Sequence, residues 1–195
     1  ITFVVYERLP FYAYSLLHAK RKDVVRLSHY REKVDRLLFR LVNYLQPAAM
    51  LEVGTGSGLS ARYMAEAKHV PLCTLDGGEC REEVIRLLAD CPHVDYRCGD
   101  VPQLLHRYVE EHGCPDIVHI AFTSYYKEVF EALLPAVSSH TCFFIGSPYA
   151  TKEKREWWKQ VISDPRTGVT FDLYDVGLVF FDKKRVKEHR IVNFL

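Results

Sequence analysis

Three glycines occupy alternate positions in one short stretch, "LEVGTGSGLSARYMAEA" (51–67). An apolar run precedes Gly54 and a helical pattern follows Gly58, so the glycines lie where a strand leads into a helix. The free N–H groups and positive dipole end at the start of a helix favour an anionic group. Gly54 permits a tight turn, and Gly56 lets a ligand approach the backbone. The stretch therefore predicts a turn that binds a nucleotide-like ligand.

The spacing of these glycines distinguishes between ligand classes. A phosphate-binding P-loop requires G-x-x-x-x-G-K-[ST], but Leu59 stands at its second glycine position and no lysine follows. A dinucleotide-binding turn requires G-x-G-x-x-G, and its third glycine also falls at Leu59. The observed pattern is G-x-G-x-G preceded by Glu52, which matches neither class.

Two carboxylates are predicted at the ends of later strands. Asp76 lies 22 residues after Gly54 and can accept hydrogen bonds from both hydroxyls of a ribose, or serve as a turn residue in "DGG". Asp100, in "CGDVPQLL", can receive an adenine amino group or cap the helix that begins near Val101. Both alternatives are open for each carboxylate.

The elements that must position these residues follow an alternating rhythm. Short apolar runs without polar alternation predict strands buried on both faces, as in a parallel sheet covered by helices. These runs span 48–53, 70–75, 116–122 and 140–146, with a weaker strand at 93–98. Helical patterns lie between them at 59–67, 79–89, 101–112 and 125–137. The rhythm predicts a doubly wound α/β sheet.

Both ends of the chain depart from this rhythm. Residues 11 to about 45 show a helical pattern, which ends before Pro47. Near the other end, a helix at 151–162 precedes two strands at 169–176 and 177–182. Because no crossover helix fits between these two strands, they must pair antiparallel. We therefore predict an N-terminal helical extension over 1–46 and a ligand-binding domain over 47–195 that ends in a hairpin.

Composition narrows the function classes. Hydrophobic residues make up 48% of the 195 residues, charged residues 26%, and the formal net charge is +1, so no global field favours nucleic acid or a membrane surface. Residues 1–46 carry nine Lys/Arg against four Asp/Glu, an excess that would face solvent or an acidic surface. The first residues lack a signal-peptide pattern, and no apolar run is long enough to span a membrane. We expect a cytoplasmic protein.

Cysteine usage agrees with that expectation. None of the six cysteines forms a C-x-x-C pair or shows zinc-finger spacing. The sequence thus predicts six reduced thiols: Cys73, Cys80, Cys91, Cys98, Cys114 and Cys142.

The combination of "LEVGTGSG", "TLD", "CGD" and a terminal hairpin resembles the class I S-adenosylmethionine-dependent methyltransferases over roughly residues 47–182. Within that class the chain resembles small bacterial O-methyltransferases of the catechol-methylating type. The resemblance implies a mostly parallel, seven-stranded Rossmann-like sheet of order 3-2-1-4-5-7-6. It also implies S-adenosylmethionine as the cofactor and a small-molecule acceptor.

The resemblance assigns cofactor contacts residue by residue. They are Glu52, Gly54, Thr55, Gly56, Ser57, Gly58, Asp76, Gly77, Asp100 and Val101. The glycine turn would line the methionine part of the cofactor, with Glu52 beneath its amino acid end. Asp76 would bind the ribose, flanked by Gly77. Asp100 and Val101 would border the adenine.

The acceptor side departs from the family pattern. Metal-dependent members hold a divalent cation with an Asp after the fourth strand and an acidic pair after the fifth. Here Ala121 replaces the first Asp, and Gly146 with Ser147 replaces the pair. We therefore expect no metal ion.

Without a metal, an acceptor needs either a low pKa or a general base. Weak catalytic candidates are His119, Tyr125 and Tyr149, each of which can also be a packing residue. A metal-independent methyltransferase acting on an acceptor oxygen is the leading hypothesis. The alternatives are a cofactor-binding protein without turnover and an NAD-dependent oxidoreductase. The N-terminal extension is expected to cover the active site or form a homodimer interface.

Overall fold

The computed structural model of the chain describes residues 8–21 and 26–193. Positions 1–7 and 22–25 of the predicted N-terminal extension lie outside these residues. Within them, no helix is both long and apolar enough to cross a membrane.

One mixed sheet of eight strands organises the described residues, in the order β3-β2-β1-β4-β5-β7-β6-β8. The strands are β1 Met50–Val53, β2 Leu72–Gly77, β3 Val94–Gly99, β4 Ile117–Ile120, β5 Cys142–Gly146, β6 Thr170–Asp172, β7 Val176–Phe180 and β8 His189–Ile191. β1 to β5 pair in parallel, and β7 is antiparallel to both β5 and β6. The predicted order of seven strands and the terminal hairpin are confirmed.

The described residues form seven α-helices, of which six pack on the sheet and the first packs on other helices. They are α1 Phe11–Arg21, α2 Glu32–Leu45, α3 Leu59–Ala67, α4 Glu82–Leu88, α5 Val101–His112, α6 Tyr126–Leu133 and α7 Lys152–Ser163. A 3-10 turn, Leu134–Ala136, extends α6. The bounds predicted for α3 and α5 agree with the structure to the residue.

The two faces of the sheet bury separate cores. Alternate strand residues point to opposite faces, so Phe144 packs with α2 and α3 while Phe143 packs with α5, α6 and α7. Because both faces are covered, the central strands are apolar throughout, which is why they are readable as uninterrupted apolar runs.

Two predictions about elements need correction. The continuous helix expected from 11 to about 45 is two helices, because residues 26–31 are not helical and the carbonyl oxygen of Ser28 accepts a hydrogen bond from the glycine turn. The eighth strand was not predicted. β8 is short and exposed, and it is defined by its parallel pairing with β6 rather than by burial.

The prediction of six reduced thiols is wrong for one pair. Cys80 and Cys98 form a disulfide, because the segment after β2 folds back onto β3 and brings their Cα atoms to 5.3 Å. The 17 residues between them in the sequence give no sign of this proximity. Cys73, Cys91, Cys114 and Cys142 are free thiols.

Candidate functional site

The glycine turn adopts the conformation that its residues predict. Gly54, Gly56 and Gly58 have φ angles of 94°, 56° and 77°, in the left-handed region that favours glycine. A Cβ on Gly54 would lie 2.5 Å from the backbone carbon of Phe122, and one on Gly56 would lie 2.5 Å from the carbonyl oxygen of Ser28. Glycine is thus required at both positions for two reasons: the φ angles of the turn and the close approach of the backbone of Phe122 and Ser28.

The turn is covered by other parts of the chain. Ser57 N donates a hydrogen bond of 2.8 Å to the carbonyl oxygen of Ser28, which lies between α1 and α2. The ring of Phe122 packs against Gly56, and every residue from Gly54 to Gly58 is buried. The N-terminal segment therefore occupies the approach to the turn, and the Ser57 amide is already paired within the protein.

Glu52 lies beneath the turn in a buried polar network. Its carboxylate accepts hydrogen bonds from Ser60 Oγ at 2.5 Å, Thr74 Oγ1 at 2.6 Å and His119 Nδ1 at 2.9 Å. Thr55 Oγ1 lies 2.7 Å from Thr74 Oγ1 and extends the network into the turn. Glu52 thus anchors β1, β2, α3 and β4 to one another directly below the turn.

His119 continues this network toward the N-terminal segment. Its Nε2 lies 3.1 Å from the hydroxyl of Tyr30. Burial, together with the nearby charges of Glu52 and Asp35, raises the pKa of Tyr30 well above its usual value, so the hydroxyl stays protonated and donates to Nε2. His119 Nδ1 then carries the proton and donates it to Glu52, so both ring nitrogens of His119 are hydrogen-bonded. His119, a catalytic candidate from the sequence, is a fully buried member of this chain.

Asp76 ends β2 beside the turn. Its Oδ1 accepts a hydrogen bond from Gly77 N at 3.1 Å, whereas its Oδ2 is buried without a hydrogen-bond partner among the described residues. Arg81 Nη1 lies 3.3 Å from Oδ2 and forms an ion pair that lacks hydrogen-bond geometry. Burial raises the pKa of Asp76, and the Arg81 charge opposes that rise. A buried carboxylate oxygen without a donor is suited to accept a ligand hydroxyl.

The residues assigned to the adenine have structural roles as well. Asp100 caps α5, since its side chain accepts a hydrogen bond from Gln103 N at 2.9 Å. Val101 is buried in the core between the sheet and α5, and Gly77 is exposed beside Asp76. The capping alternative for Asp100 is therefore realised, and its side chain stays exposed at the same edge of the sheet as Asp76.

The acceptor side does not fit a metal ion. The Tyr30 hydroxyl lies against Gly146, so a side chain at that position would collide with it. Ala121 is buried and Ser147 has a left-handed φ of 45°. Among the residues that the structure describes, no three His, Cys, Asp or Glu side chains converge as a metal site would require. The Tyr30 hydroxyl thus occupies the space that a side chain at position 146 would need.

A cleft of about 600 Å³ opens at the carboxyl ends of β4 and β5. Residues that line it include Phe122, Thr123, Tyr126, Ser147 and Lys154. Since the ring of Phe122 also packs on Gly56, this residue separates the cleft from the glycine turn. The cleft is the described cavity best placed to receive an acceptor.

Lys154 is a residue that sequence reasoning missed in this cleft. Its Nζ is buried, donates a hydrogen bond of 2.7 Å to the carbonyl oxygen of Gly146 and lies 5.3 Å from the ring of Tyr126. Burial lowers the pKa of Lys154 to about 8. A lysine in the first turn of a helix after a buried strand is too common a pattern to single out.

The two tyrosine candidates lie at the rim of this region. Tyr125 is the residue before α6, and its backbone N–H is bound by Thr123 Oγ1 at 3.1 Å. Tyr149 donates its hydroxyl proton to the carboxylate of Asp172, which also accepts from Trp158 Nε1 at 3.0 Å. Both rings are partly exposed, and the Tyr149 hydroxyl is directed toward β6 rather than into the cleft.

Three solved structures illustrate what the fold is similar to. An O-methyltransferase from Bacillus cereus in complex with SAH aligns with a TM-score of 0.65 at 15% identity, covering 90% of this chain and 93% of that chain. The O-methyltransferase TomG from Streptomyces achromogenes, in complex with SAM, aligns at 0.64 and 16% identity over 89% of this chain and 91% of its own. A methyltransferase from Geobacter sulfurreducens aligns at 0.64 and 16% identity, covering 90% and 93%.

Comparison with family models and with curated proteins returned no match. The structural matches cover most of both chains, but at 14–16% identity they establish the fold alone. The chain has the fold of the class I S-adenosylmethionine-dependent O-methyltransferases, as its sequence motifs predict.

Proposed function

We propose that the protein is an S-adenosylmethionine-dependent methyltransferase that methylates an oxygen of a small-molecule acceptor without a bound metal ion. The observation that carries the proposal is the buried Oδ2 of Asp76, which accepts no hydrogen bond among the described residues, beside a turn of three left-handed glycines. Both lie at the carboxyl edge of the sheet, where α/β sheets bind ligands. When bound, S-adenosylmethionine supplies an electrophilic methyl group on its sulfonium.

The chain's own residues divide the binding task. Gly54 to Gly58 are suited to the methionine part of the cofactor, because glycine lets a ligand approach the backbone closely. Asp76 is suited to the ribose hydroxyls, and the exposed edge near Asp100 and Val101 to the adenine. The chemistry of these groups fits the cofactor, while the Ser28–Tyr30 segment must move aside for the methionine part to enter.

The covered turn has a thermodynamic consequence. If the described conformation is the major one, the cofactor binds only the fraction of molecules in which the turn is open, and the apparent affinity falls by that fraction. The protein is therefore expected to bind the cofactor more weakly than its site residues alone suggest.

On the acceptor side, the proposal depends on positioning rather than on metal chemistry. The cleft adjoins Phe122 and contains no acidic pair after β5, so an acceptor oxygen would be held by side chains and backbone. Its neutral hydroxyls, Thr123 and Ser147, together with the aromatic ring of Tyr126, favour a small planar acceptor.

A methyl-transfer assay tests this proposal. Purified protein is incubated with S-adenosylmethionine carrying a radiolabelled methyl group and a panel of phenols and catechols, with and without a chelator. We expect transfer to at least one acceptor at a rate that the chelator leaves unchanged.

Other outcomes of this assay, together with calorimetric titration with S-adenosylhomocysteine and NAD, assign the alternatives. Loss of transfer on chelation would contradict metal independence. Binding of S-adenosylhomocysteine without transfer to any acceptor would favour a cofactor-binding protein without turnover. Binding of NAD in its place would favour an oxidoreductase.

Partners and location extend the proposal. We expect a small-molecule acceptor and neither nucleic acid nor a membrane, because the net charge is +1 and basic residues of the extension form ion pairs, such as Arg21–Asp35 and Arg36–Glu32.

A homodimer through the extension stays a prediction. Light scattering tests it by comparing the mass in solution with the chain mass of 22.7 kDa. Cytoplasmic location is likewise proposed, and recovery in a membrane or secreted fraction on cell fractionation would contradict it.

A further inference from the structure

The disulfide lies at the edge of the candidate cofactor site. Cys98 is the register partner of Asp76 across β2 and β3, and Cys80 belongs to the exposed segment that follows β2. The bond therefore ties this segment to the edge strand next to the carboxylate that is suited to the ribose.

The tethered segment ends in a residue that contacts the site twice. Arg81 follows Cys80 directly; its Nη1 donates a hydrogen bond of 2.7 Å to the carbonyl oxygen of Gly56 and lies 3.3 Å from Asp76 Oδ2. Its guanidinium bridges the glycine turn and the Asp76 carboxylate. A ligand that places hydroxyls on Asp76 must compete with this bridge.

The disulfide is accessible from solution. Cys80 is exposed and Cys98 half-buried, whereas Cys73, Cys91 and Cys142 are buried. Burial raises the pKa of the Cys73 and Cys114 thiols to about 12, which keeps them protonated and unreactive at neutral pH. A dithiol in solution can therefore reach Cys80 Sγ, and the four free thiols offer a reductant no bond to cleave.

We propose that the Cys80–Cys98 disulfide is a thiol–disulfide exchange site, and that its reduction by a dithiol raises the affinity of the protein for S-adenosylmethionine and S-adenosylhomocysteine. This inference rests on the proposed function. Disulfides in reducing compartments are typically transient and redox-sensing, so the exchange site is compatible with a cytoplasmic location.

A dithiol reduces the Cys80–Cys98 bond in two exchange steps. One of its thiolates attacks the exposed Cys80 Sγ, forms a mixed disulfide and releases Cys98 as a thiolate that takes up a proton. The second thiol of the reductant then attacks the reductant sulfur that is bonded to Cys80 Sγ. This step releases Cys80 as a thiolate, which takes up a proton. The protein gains two electrons and two protons, and the dithiol becomes a cyclic disulfide.

Reduction removes the restraint on the segment that carries Arg81. Residues 78–81 then gain conformational freedom, and Arg81 can leave the bridge between Gly56 and Asp76. Asp76 becomes available to the ribose hydroxyls in a larger fraction of molecules, which increases the apparent affinity.

Calorimetric titration with S-adenosylhomocysteine tests the inference. Oxidised wild type, wild type reduced with dithiothreitol, and the double variant Cys80→Ser/Cys98→Ser are compared, with mass spectrometry after alkylation to verify each redox state. Cys114→Ser serves as the matched control, because it removes a thiol remote from the site. We expect the reduced protein and the double variant to bind at least about threefold more tightly than the oxidised protein.

The outcomes separate this inference from the proposed function. Equal affinities of the oxidised and reduced wild type, or tighter binding by the oxidised form, would overturn the exchange inference and leave the proposed function standing. Absence of S-adenosylhomocysteine binding in both states would overturn the proposed function itself. Comparing the two states of the wild type keeps the test valid if the double variant folds poorly.

Discussion

At the scale of single residues, Asp76 combines burial with an incomplete hydrogen-bond shell. Its Oδ2 lies near Arg81 but receives no hydrogen bond among the described residues, and its side chain is nearly enclosed. A buried acceptor without a donor is unfavourable in a folded protein unless it serves a ligand. This is the physical reason to assign a binding role to Asp76 rather than only a turn role.

Replacing Asp76 by Asn tests that role. The variant keeps the shape of the side chain but loses its charge and one acceptor oxygen, so we expect S-adenosylhomocysteine to bind about 5- to 150-fold more weakly, equivalent to roughly 1–3 kcal/mol. Glu79→Gln is the matched control, because Glu79 is an exposed carboxylate in the same segment. If both variants bind like the wild type, Asp76 is a turn residue only.

At the scale of elements, the segment between α1 and α2 links the N-terminal extension to the site. Tyr30 contributes to the core, packs on Phe122 with ring centroids 4.4 Å apart and donates to His119. Arg21 binds both the carbonyl oxygen of Tyr30 and the buried carboxylate of Asp35. Tyr30 is thus held both through its side chain and through its backbone carbonyl.

Loosening this segment should favour cofactor binding. Tyr30→Ala removes the ring that packs on Phe122 and the hydroxyl that binds His119, so the covered conformation loses stability relative to the open one. We expect a lower free energy of unfolding together with tighter binding of S-adenosylhomocysteine, measured by urea unfolding and calorimetry. Tyr44→Ala, which changes an exposed tyrosine of α2, should alter neither. Weaker binding by Tyr30→Ala would show that the segment supports the site instead of covering it.

Asp35 makes the stability of the extension depend on pH. Burial raises the pKa of Asp35 to about 7, although the Arg21 guanidinium opposes the rise. The folded protein therefore binds this proton more tightly than the unfolded chain, and stability decreases as pH rises from about 4 to about 7, by at most roughly 1.4 kcal/mol per pH unit.

Asp35→Asn is expected to flatten this dependence. Urea unfolding at pH 5, 6 and 7.5 measures it for the wild type and for Asp35→Asn, with the exposed Asp95→Asn as control. A wild-type stability that increases over this range, or an unchanged slope in Asp35→Asn, would contradict the assigned cause.

At the scale of the whole molecule, the sheet was predictable because its central strands are buried on both faces. Uninterrupted apolar runs located β1, β2, β4 and β5, and the short link before β7 required an antiparallel hairpin. β8 was not predictable, since its residues are exposed and it is defined by its pairing with β6 rather than by an apolar run. Thr170 N, for example, donates to the carbonyl oxygen of Glu188 at 2.8 Å.

The site was predictable in part for a related reason. The positions of the glycine turn and Asp76 follow from local sequence, because strand ends and turn residues are local signals. The cover over the turn and the disulfide depend on distant contacts, such as Tyr30 with His119, which are 89 positions apart in the sequence. Such contacts leave no periodic or compositional signal.

Calorimetry of the reduced wild-type protein, with S-adenosylhomocysteine and NAD titrated separately, tests the central claim most directly. A glycine turn and carboxylate arranged as observed predict saturable binding of S-adenosylhomocysteine at one site per chain and no binding of NAD. Binding of NAD without binding of S-adenosylhomocysteine would contradict the assignment of Gly54 to Gly58 and Asp76 to a methyl-donor site.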